Sequence, residues 1–323
     1  MIDEKIIDSA VKELFEQIRF PQAPEGLYDP LRYMISIGGK RIRPRLCITA
    51  YALFRGSVEP EVLEPAAGLE VFHTYTLIHD DIMDRSPLRR GKTTVWKKWN
   101  EDTAILSGDV MLLEAYKRIC KAPERCREEV IDLFTRTGEE VCEGQQFDME
   151  FEQQDNVPMA DYAKMIGLKT AVLLACSAKM GALIAGATEA DCEAIYRYGY
   201  ELGMAFQVAD DYLDAYGDEK VFGKPIGGDI VNQKKSWLTV RALEKTEDRD
   251  GFLKAFSRNC EDASERQAKI QQIKGLYDSL GIPADARAEI RRYSERAMDA
   301  VSGLSCDVKP LRDFAESLIG RAK

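Results

Sequence analysis

The chain has 323 residues, of which 45% are hydrophobic and 31% charged, and its formal net charge is −10 at neutral pH. A chain of this length and apolar content can bury a large core, as one large domain or two ordinary ones. The acidic balance argues against nonspecific binding to nucleic acids, which depends on lysine and arginine contacts with phosphates. Any bound phosphate must therefore be held by a local basic cluster or by cations.

The N-terminal segment, MIDEKIIDSAVKELFEQ, is acidic and amphipathic. It lacks the basic start and apolar run of a signal peptide, and no stretch of the sequence approaches the roughly 20 apolar residues of a membrane span. The eight cysteines form no CxxC pair and only two histidines accompany them, which disfavours a zinc site. We therefore expect a cytoplasmic protein with free thiols, no membrane span and no nucleic-acid partner.

Apolar spacing predicts helices along most of the chain. Apolar residues recur at three- and four-residue intervals, most clearly in residues 160–185 and 191–215, and alternation typical of strands is hard to find. Proline and glycine separate the segments, at residues 21–26, 38–39, 87–91, 123 and 217–228. No serine- or glycine-rich linker divides the chain. We predict one all-α domain of ten or more helices over residues 1–323.

The first segment with chemical character is a basic turn, GGKRIRPR, at residues 38–45. It places four cationic side chains in six positions beside two glycines. Glycine lets a backbone approach phosphate closely, and arginine can bind phosphate through two hydrogen bonds. A solvated surface run has the same composition, so the meaning of this turn depends on its neighbours.

An apolar run, residues 66–78, leads into a first acidic cluster of Asp80, Asp81 and Asp84. On a helix, Asp80 and Asp84 share a face and Asp81 lies about 100° around the axis. Ser86-Pro87 should end the helix soon afterwards. The carboxylates then crowd a helix C-terminus, where the macrodipole and their mutual repulsion disfavour them. A bound cation would remove both penalties. The basic segment LRRGK follows directly.

A second cluster repeats this DDxxD pattern with Asp210, Asp211 and Asp214, after the apolar run 195–209. Gly217 should end this helix as well. Basic segments follow again, at Phe222-Gly223-Lys224 and Lys234-Lys235. One DDxxD alone is weak evidence, because a solvated acidic turn has the same letters. Two of them, each ending an apolar helix and each followed by a basic segment with glycine, indicate a site.

The chemistry of the candidate ligands indicates a hard cation. All are oxygens, with no sulfur or imidazole set, which favours Mg²⁺ or Mn²⁺. Mg²⁺ commonly takes one or two carboxylates and completes its shell with water and phosphate oxygens. Carboxylates, Mg²⁺ and flanking lysines and arginines together suit the departure of pyrophosphate, because charge builds on the leaving oxygens.

Six motifs occur in a characteristic order: GGKRIRP, HTYTLIHDDIMDRSPLRRG, GQQFD, GLKTA, FQVADDYLD and FGKPIGGDI. Over nearly the whole chain they resemble the trans-isoprenyl diphosphate synthases of the short-chain farnesyl/geranylgeranyl group. The resemblance implies an isoprenoid-synthase-type helical bundle around a central cavity, usually a homodimer, acting on isopentenyl diphosphate and an allylic diphosphate. It also implies three Mg²⁺ ions per active site, for which Mn²⁺ can substitute.

The resemblance also assigns roles to individual residues. Asp80 and Asp84 match Mg²⁺ ligands and Asp210 matches the ligand of a third ion, while Asp81, Asp211 and Asp214 belong to the same clusters. The positions that bind the allylic diphosphate are matched by Arg89, Lys169 and Lys224. The isopentenyl diphosphate pocket is matched by Lys40, Arg43, His73 and Arg90. Polar groups that face the developing cation are matched by Thr170 and Gln207. Supporting positions are matched by Gln145, Asp148, Lys234 and Gly228-Asp229.

The mechanism implied by the resemblance is ionisation, condensation and elimination. Mg²⁺ and basic side chains draw pyrophosphate from the allylic substrate, the alkene of isopentenyl diphosphate attacks the cation, and a proton leaves to the departed pyrophosphate. No nucleophilic serine, cysteine or histidine is needed. We interpret His79, just before the first cluster, as a packing or supporting residue rather than a base.

Product length is less well determined. In the family, bulk about one turn before the first acidic motif limits the growing tail, and here Tyr75 is the fifth residue before Asp80 and Thr76 the fourth. A ring at Tyr75 should block a long tail, although an ordinary core tyrosine is the alternative. The motif has no insertion between Asp81 and Asp84, as in archaeal-type geranylgeranyl synthases. We favour a twenty-carbon product, with fifteen carbons left open.

Other functions are compatible with parts of the pattern. A class I terpene cyclase would carry one DDxxD and a second metal motif of a different type, and neither it nor a head-to-head synthase needs the basic turn. A noncatalytic subunit of a hetero-oligomeric synthase usually loses one acidic motif. A cation-binding scaffold without catalysis would not need Lys40, Arg43, Arg89 and Arg90 together.

Overall fold

The computed structural model describes residues 4–217 and 226–320, so the predicted site residue Lys224 lies outside the described residues. The helices are α1 (Glu4–Glu16), α2 (Glu25–Ile37), α3 (Ile42–Arg55), α4 (Pro60–Met83), α5 (Val95–Lys98), α6 (Glu101–Ile119), α7 (Arg127–Glu152), α8 (Met159–Ile166), α9 (Val172–Ala185), α10 (Glu189–Tyr216), α11 (Gly228–Val231), α12 (Trp237–Lys245), α13 (Arg249–Phe256), α14 (Ala263–Ser279), α15 (Ile282–Ala300) and α16 (Lys309–Ile319). A 3₁₀ turn spans Glu124–Cys126, and a π-helical turn spans Gly167–Ala171. The prediction of an all-α fold is confirmed.

A short hairpin interrupts the helices after the first acidic cluster. Strand β1 (Leu88–Arg89) pairs antiparallel with β2 (Lys92–Thr93). The two connecting residues, Arg90 and Gly91, have φ angles of 53° and 72°, the left-handed conformation that tight hairpin turns require. The sequence analysis did not predict this hairpin, because strands of two residues show no alternation.

The helix ends follow the signals in the sequence. Helix α4 ends at Met83 and α10 at Tyr216, so both DDxxD motifs lie near the C-terminus of a helix, as predicted. Side chains satisfy free backbone donors at several helix starts. Asn100, for example, accepts a hydrogen bond from the Thr103 N–H at 2.7 Å, and Ser236 caps α12 in the same way.

The described residues group into two compact units. The first comprises residues up to Arg136 together with Leu174–Tyr196 and Gly303–Leu311. The second comprises Thr137–Leu173, Arg197–Ser302 and the residues from Arg312 onward. The first acidic motif and the basic turn lie in the first unit, and the second acidic motif lies in the second. That residues 1–323 form a single domain stays a prediction.

In the first unit, α4 packs against both α3 and α6. Glycines allow close approach at two helix contacts in this unit. A methyl group at Gly68 of α4 would come within 2.9 Å of the Ile119 side chain. One at Gly181 of α9 would come within 2.9 Å of the Tyr51 backbone nitrogen and would overlap the Cys47 carbonyl oxygen. The core of this unit therefore depends on backbone-to-backbone packing that only glycine permits.

One helical stretch of the described chain, Met159–Ala185, is long and apolar enough to cross a membrane by length and composition alone. Its most apolar 18-residue window is 72% buried within the protein. A helix that is apolar on all sides is typical of a buried core as well as of a membrane span. The expectation that no stretch approaches this composition was therefore too strict.

Replacing Gly181 by alanine should destabilise the fold. The added methyl group meets backbone atoms of α3 that cannot rotate away, and overpacking of this kind costs about 1–3 kcal/mol. We expect a lower midpoint of urea unfolding, measured by circular dichroism. Gly275→Ala is the matched control, because Gly275 is exposed in α14 with nothing within 4 Å of its would-be methyl group. That control should gain about 0.5–1 kcal/mol. Equal effects of the two substitutions would contradict this account.

Candidate active site

The first acidic motif closes α4. The Asp84 N–H donates to the Asp80 carbonyl at 2.8 Å, which completes the last helical turn. The Asp81 side chain is buried, and its Oδ1 accepts hydrogen bonds from Arg89 Nε at 3.0 Å and Nη2 at 2.6 Å. Its other oxygen, Oδ2, is buried without a hydrogen-bond partner among the described residues. Asp80 is half-buried and Asp84 exposed, so the motif has one internal carboxylate and two outer ones.

Arg89 lies on β1, the strand that follows the motif, and its guanidinium reaches back to Asp81. Burial raises the pKa of Asp81, and the hydrogen bond and charge of Arg89 offset part of that rise. A buried carboxylate costs several kcal/mol unless it is paired, so the arginine stabilises the ionised motif. In turn the pair fixes the position of Arg89, which was predicted to bind the allylic diphosphate.

A basic cluster forms in the same unit. Arg43 is buried at the start of α3, and the Arg90 guanidinium donates to the Gly38 carbonyl and occupies the space where a side chain on Gly39 would lie. Burial lowers the pKa of His73 well below its usual value, and the charges of Arg43 and Arg90 lower it further. The structure therefore brings together three of the four residues predicted for the isopentenyl diphosphate pocket.

Lys40, the fourth of these residues, is exposed in the loop between α2 and α3. Burial lowers the pKa of Arg43 to about 10, while the charge of Glu70 opposes the shift. An arginine with this pKa is still cationic at neutral pH. The cluster therefore presents positive charge from a partly desolvated position, where its attraction for phosphate is stronger than in water.

Glu70 is a residue that the sequence analysis missed. It is buried in α4 and accepts from Arg41 at 3.3 Å. Arg41 has a left-handed backbone, φ 49°, and its guanidinium lies 4.1 Å from the centre of the Phe15 ring. The signal was present, because Glu70 is the only acid in the apolar run 66–78 and a buried charge needs a partner. Glu70 anchors the basic turn from the side opposite to solvent.

In the second motif, the middle aspartate is again the buried one. Asp211 accepts hydrogen bonds from the Trp237 N–H at 2.7 Å, the Tyr162 hydroxyl at 2.5 Å and Gln207 Nε2 at 2.9 Å. Burial raises the pKa of Asp211 to about 7, and these three hydrogen bonds hold it from rising further. Asp210 and Asp214 are half-buried. The sequence analysis missed Tyr162 and Trp237, because no local spacing connects them with Asp211.

The segment after the second motif returns to the same helix end. Asp214 Oδ2 accepts from the Asp229 N–H at 3.0 Å, and the Asp214 carbonyl accepts from the Gly227 N–H at 2.6 Å. The predicted Gly228-Asp229 element thus begins α11 in contact with the motif. These two hydrogen bonds tie the element to the end of α10.

Lys169 and Thr170 lie on the π-helical turn between α8 and α9. A π turn widens a helix and is frequent at functional sites. Two glycines make room for it in the second unit. A methyl group at Gly144 of α7 would come within 2.7 Å of the Leu168 carbonyl carbon, and one at Gly203 of α10 within 2.5 Å of the Ala171 Cα. The wide turn is therefore packed directly against two helices.

Side chains from this turn join the second motif. The Thr170 hydroxyl donates to Gln207 Oε1 at 3.0 Å, and Gln207 donates to Asp211. Lys169 Nζ lies 2.6 Å from Asp148 Oδ2. Lys234 pairs with Glu152 and lies 4.0 Å from Asp148, while Gln145 is buried one turn earlier on α7. The structure therefore gathers the described residues that were predicted for this part of the site.

The family model described as "Polyprenyl synthetase" matches residues 24–275. A geranylgeranyl diphosphate synthase from Methanosarcina mazei is 41% identical over 242 residues, which is 74% of this chain and 73% of that protein. A crystal structure of a geranylgeranyl pyrophosphate synthase superposes with a TM-score of 0.93 at 39% identity, covering 99% of both chains.

The chain belongs to the polyprenyl synthetase family. It is therefore a prenyltransferase, and the resemblance inferred from its motifs is confirmed. A further family structure, polyprenyl synthase from Caulobacter crescentus, superposes with a TM-score of 0.83 at 27% identity, covering 98% of this chain and 94% of that one. That protein was solved in complex with calcium and isoprenyl diphosphate.

Family membership implies catalysis that depends on a divalent metal, and the donor set of this chain fits such an ion. Within residues 4–217 and 226–320, no three acidic, histidine or cysteine side chains converge closely enough to hold a metal by themselves. Mg²⁺ needs no such cage, because it binds through one or two carboxylates plus phosphate oxygens and water. The unpartnered Oδ2 of Asp81 also shows that this helix end has acceptor capacity left over.

Tyr75 and Thr76 lie half-buried on α4, one turn before the motif. The Thr76 hydroxyl donates to the His73 carbonyl at 2.9 Å, so it is satisfied within the helix. The Tyr75 ring packs between those of Phe72 and His79, at centroid distances of 5.5 and 4.8 Å. Of the two, only Tyr75 has a large ring, so the predicted limit on product length depends mainly on this residue.

Replacing Tyr162 by phenylalanine should weaken the second unit. It removes one of three donors to the buried Asp211, and an unsatisfied buried acceptor costs about 1–3 kcal/mol. Urea unfolding followed by fluorescence would measure the loss. Tyr33→Phe is the control, because its hydroxyl donates to the Thr93 carbonyl at an exposed site. We expect the control to stay within about 0.5 kcal/mol of the parent. A Tyr162 variant as stable as the control would show that the bond contributes nothing.

Proposed function

We propose that the protein catalyses the Mg²⁺-dependent, head-to-tail (1′–4) condensation of isopentenyl diphosphate with an allylic diphosphate, giving a short all-trans product, geranylgeranyl diphosphate. The observation that carries the proposal is the pairing of opposite charges within the first unit. There an aspartate motif at the end of α4 lies beside a cluster of Arg43, His73 and Arg90. In this reaction the diphosphate of one substrate is held by metal ions, and the diphosphate of the other is held by basic side chains alone.

The aspartates of the two motifs would hold the metal, with Asp80, Asp84 and Asp210 as the leading ligands. When bound, Mg²⁺ neutralises charge that builds on the departing diphosphate. We propose three ions per site, with Mn²⁺ as a substitute. Asp81 and Asp211 have hydrogen-bond donors of their own, so their role as ligands stays a prediction.

The protein side chains then have separable tasks. Arg89 and Lys169 bind the allylic diphosphate, in the same role that was predicted for Lys224. Lys40, Arg43 and Arg90 hold isopentenyl diphosphate with His73. The C1–oxygen bond of the allylic substrate breaks, its electrons leave with pyrophosphate, and the alkene of isopentenyl diphosphate forms the new carbon–carbon bond. A proton lost to pyrophosphate restores the double bond, so no protein nucleophile takes part.

Thr170 and Gln207 face the developing cation in this proposal. Two hydrogen bonds fix the Gln207 side chain: its oxygen accepts from the Thr170 hydroxyl, and its nitrogen donates to Asp211. Such fixed dipoles stabilise charge without reorganising during the reaction. The rival functions gain no support, because a terpene cyclase has no use for a second diphosphate site and a noncatalytic subunit has no reason to keep both acidic motifs.

We propose a cytoplasmic protein, since its most apolar helical stretch is largely buried. We also propose a homodimer. Helix α6 supports it, because Leu106 and Leu113 lie seven residues apart on one face and are 58% and 60% exposed. Apolar residues this exposed on one helix face favour a protein partner.

The metal assignment is tested by Asp80→Ala and Asp210→Ala. Each variant should lose at least about 1,000-fold in condensation rate, because several kcal/mol of transition-state stabilisation depend on the metal and each 1.36 kcal/mol is tenfold. The assay is incorporation of isopentenyl diphosphate into farnesyl diphosphate, with and without chelator and added Mg²⁺ or Mn²⁺. Asp132→Ala, at an exposed position of α7, should keep the parental rate. Near-normal turnover of both motif variants would remove the proposed site.

Product length is tested by Tyr75→Ala. Removing the ring should extend the main product beyond twenty carbons, because the tail can then pass that turn of α4. Chromatography of the dephosphorylated products would measure it. Tyr75→Phe is the matched control, since it keeps the ring and should keep the length. An unchanged product from the alanine variant would show that Tyr75 is an ordinary core residue.

A further inference from the structure

His79 lies in the contact between α4 and α6. Its Nε2 is 3.2 Å from the carbonyl oxygen of Ile105, a residue of α6. The next turn of α6 presents Gly108, and a methyl group there would overlap the imidazole ring. A carbonyl oxygen only accepts hydrogen bonds, so the proton of the neutral ring is on Nε2. The histidine is therefore docked into a recess that exists because residue 108 has no side chain.

The imidazole ring of His79 packs against the ring of Tyr75. The two rings are four residues apart on α4 and meet edge to face, with centroids 4.8 Å apart and planes inclined at 67°. Residues at this spacing are neighbours on a helix face, and this inclination is a favoured aromatic geometry. On its other side Tyr75 meets Phe72, at 5.5 Å and 50°. The ring is thus held from the turns before and after it.

The two supports differ in kind. Phe72 is 2% exposed and packs edge to face on Phe134 at 5.1 Å, which in turn packs on Tyr116 at 5.0 Å. This side is a continuous aromatic core. His79 is the support on the opposite side, toward the acidic motif, and it is held by the hydrogen bond to Ile105 and by the recess at Gly108. If the imidazole moved, Tyr75 could rotate into the space that it left.

We propose that His79 is a positioning residue for product length, which keeps the Tyr75 ring across the path of the growing tail, and that Gly108 provides the recess that holds it. This inference rests on the proposed function. It assigns His79 no contact with substrate and no part in proton transfer. The size limit is then a property of two helices, since α4 supplies the barrier and α6 fixes its orientation.

The test measures product length, because a change near Asp80 could alter the rate for unrelated reasons. Products would be identified from farnesyl diphosphate and isopentenyl diphosphate for the parent, His79→Ala and His79→Gln. We expect the alanine variant to shift at least a third of its product to longer chains. The glutamine amide can still donate to the Ile105 carbonyl, so that variant should keep most of the parental length. Asp109→Ala, which removes an exposed carboxylate 3.9 Å from Nε2, is the control and should leave length unchanged.

Two double variants separate positioning from a general loss of packing. In a Tyr75→Ala background the barrier is already gone, so adding His79→Ala should lengthen the product no further. Gly108→Ala should itself alter product length by displacing the imidazole. Adding it to His79→Ala should have no further effect on length, because there is then no ring to displace.

Each result bears on one proposal only. A parent protein that forms no condensation product would overturn the proposed function. A parent that makes product, together with a folded His79→Ala variant whose product keeps the parental length, would overturn this inference even if turnover fell. Equal lengthening by His79→Ala with and without the Tyr75 ring would also overturn it. If His79→Ala failed to fold, Gly108→Ala would decide, and parental product length in that variant would reject the role of His79.

Discussion

The burial of one carboxylate at the end of each motif helix is the constraint on which the rest of the candidate site depends. Asp81 and Asp211 are 1% and 7% exposed at helix C-termini, where burial and the helix dipole both oppose a negative charge. Each is stabilised by donors from the segment that follows its motif, Arg89 in the hairpin and the Trp237 N–H at the start of α12. The middle aspartate therefore ties the following chain to the helix end, and the outer aspartates occupy the more exposed positions.

The site also depends on positions where a side chain is missing. Gly144 and Gly203 admit the π turn that carries Lys169 and Thr170, and Gly39 admits the Arg90 guanidinium. Glycine in a helix costs about 0.5–1 kcal/mol relative to alanine, so local helix stability is lost at Gly144 and Gly203. The compensation is that backbone and functional side chains approach more closely than any other residue would allow.

Sequence reasoning predicted the features that are encoded locally. The all-α fold, the helix ends near the two acidic motifs, and the family all follow from periodicity, turn residues and ordered motifs. The contacts of Glu70 with the basic turn and of Tyr162 with Asp211 did not follow, because their partners are set by packing between segments 29 and 49 residues apart. Periodicity shows which face of a helix is buried, but not which residue from a distant segment will pack against that face.

Product length is even harder to predict from the sequence. Each added isoprene unit gains about 4 kcal/mol if its five carbons are buried at ~0.8 kcal/mol each. Moving a tyrosine side chain about 30° away from its rotamer costs only about 0.5–1.5 kcal/mol, so a lone ring would yield to the tail. The contacts of Tyr75 with Phe72 and His79 add about 0.5–1.5 kcal/mol apiece, so the total resistance is about 1.5–4.5 kcal/mol, a range whose upper end matches the gain from one unit. A boundary set by so small a difference depends on how firmly the ring is held, and the identity of residue 75 alone does not determine it.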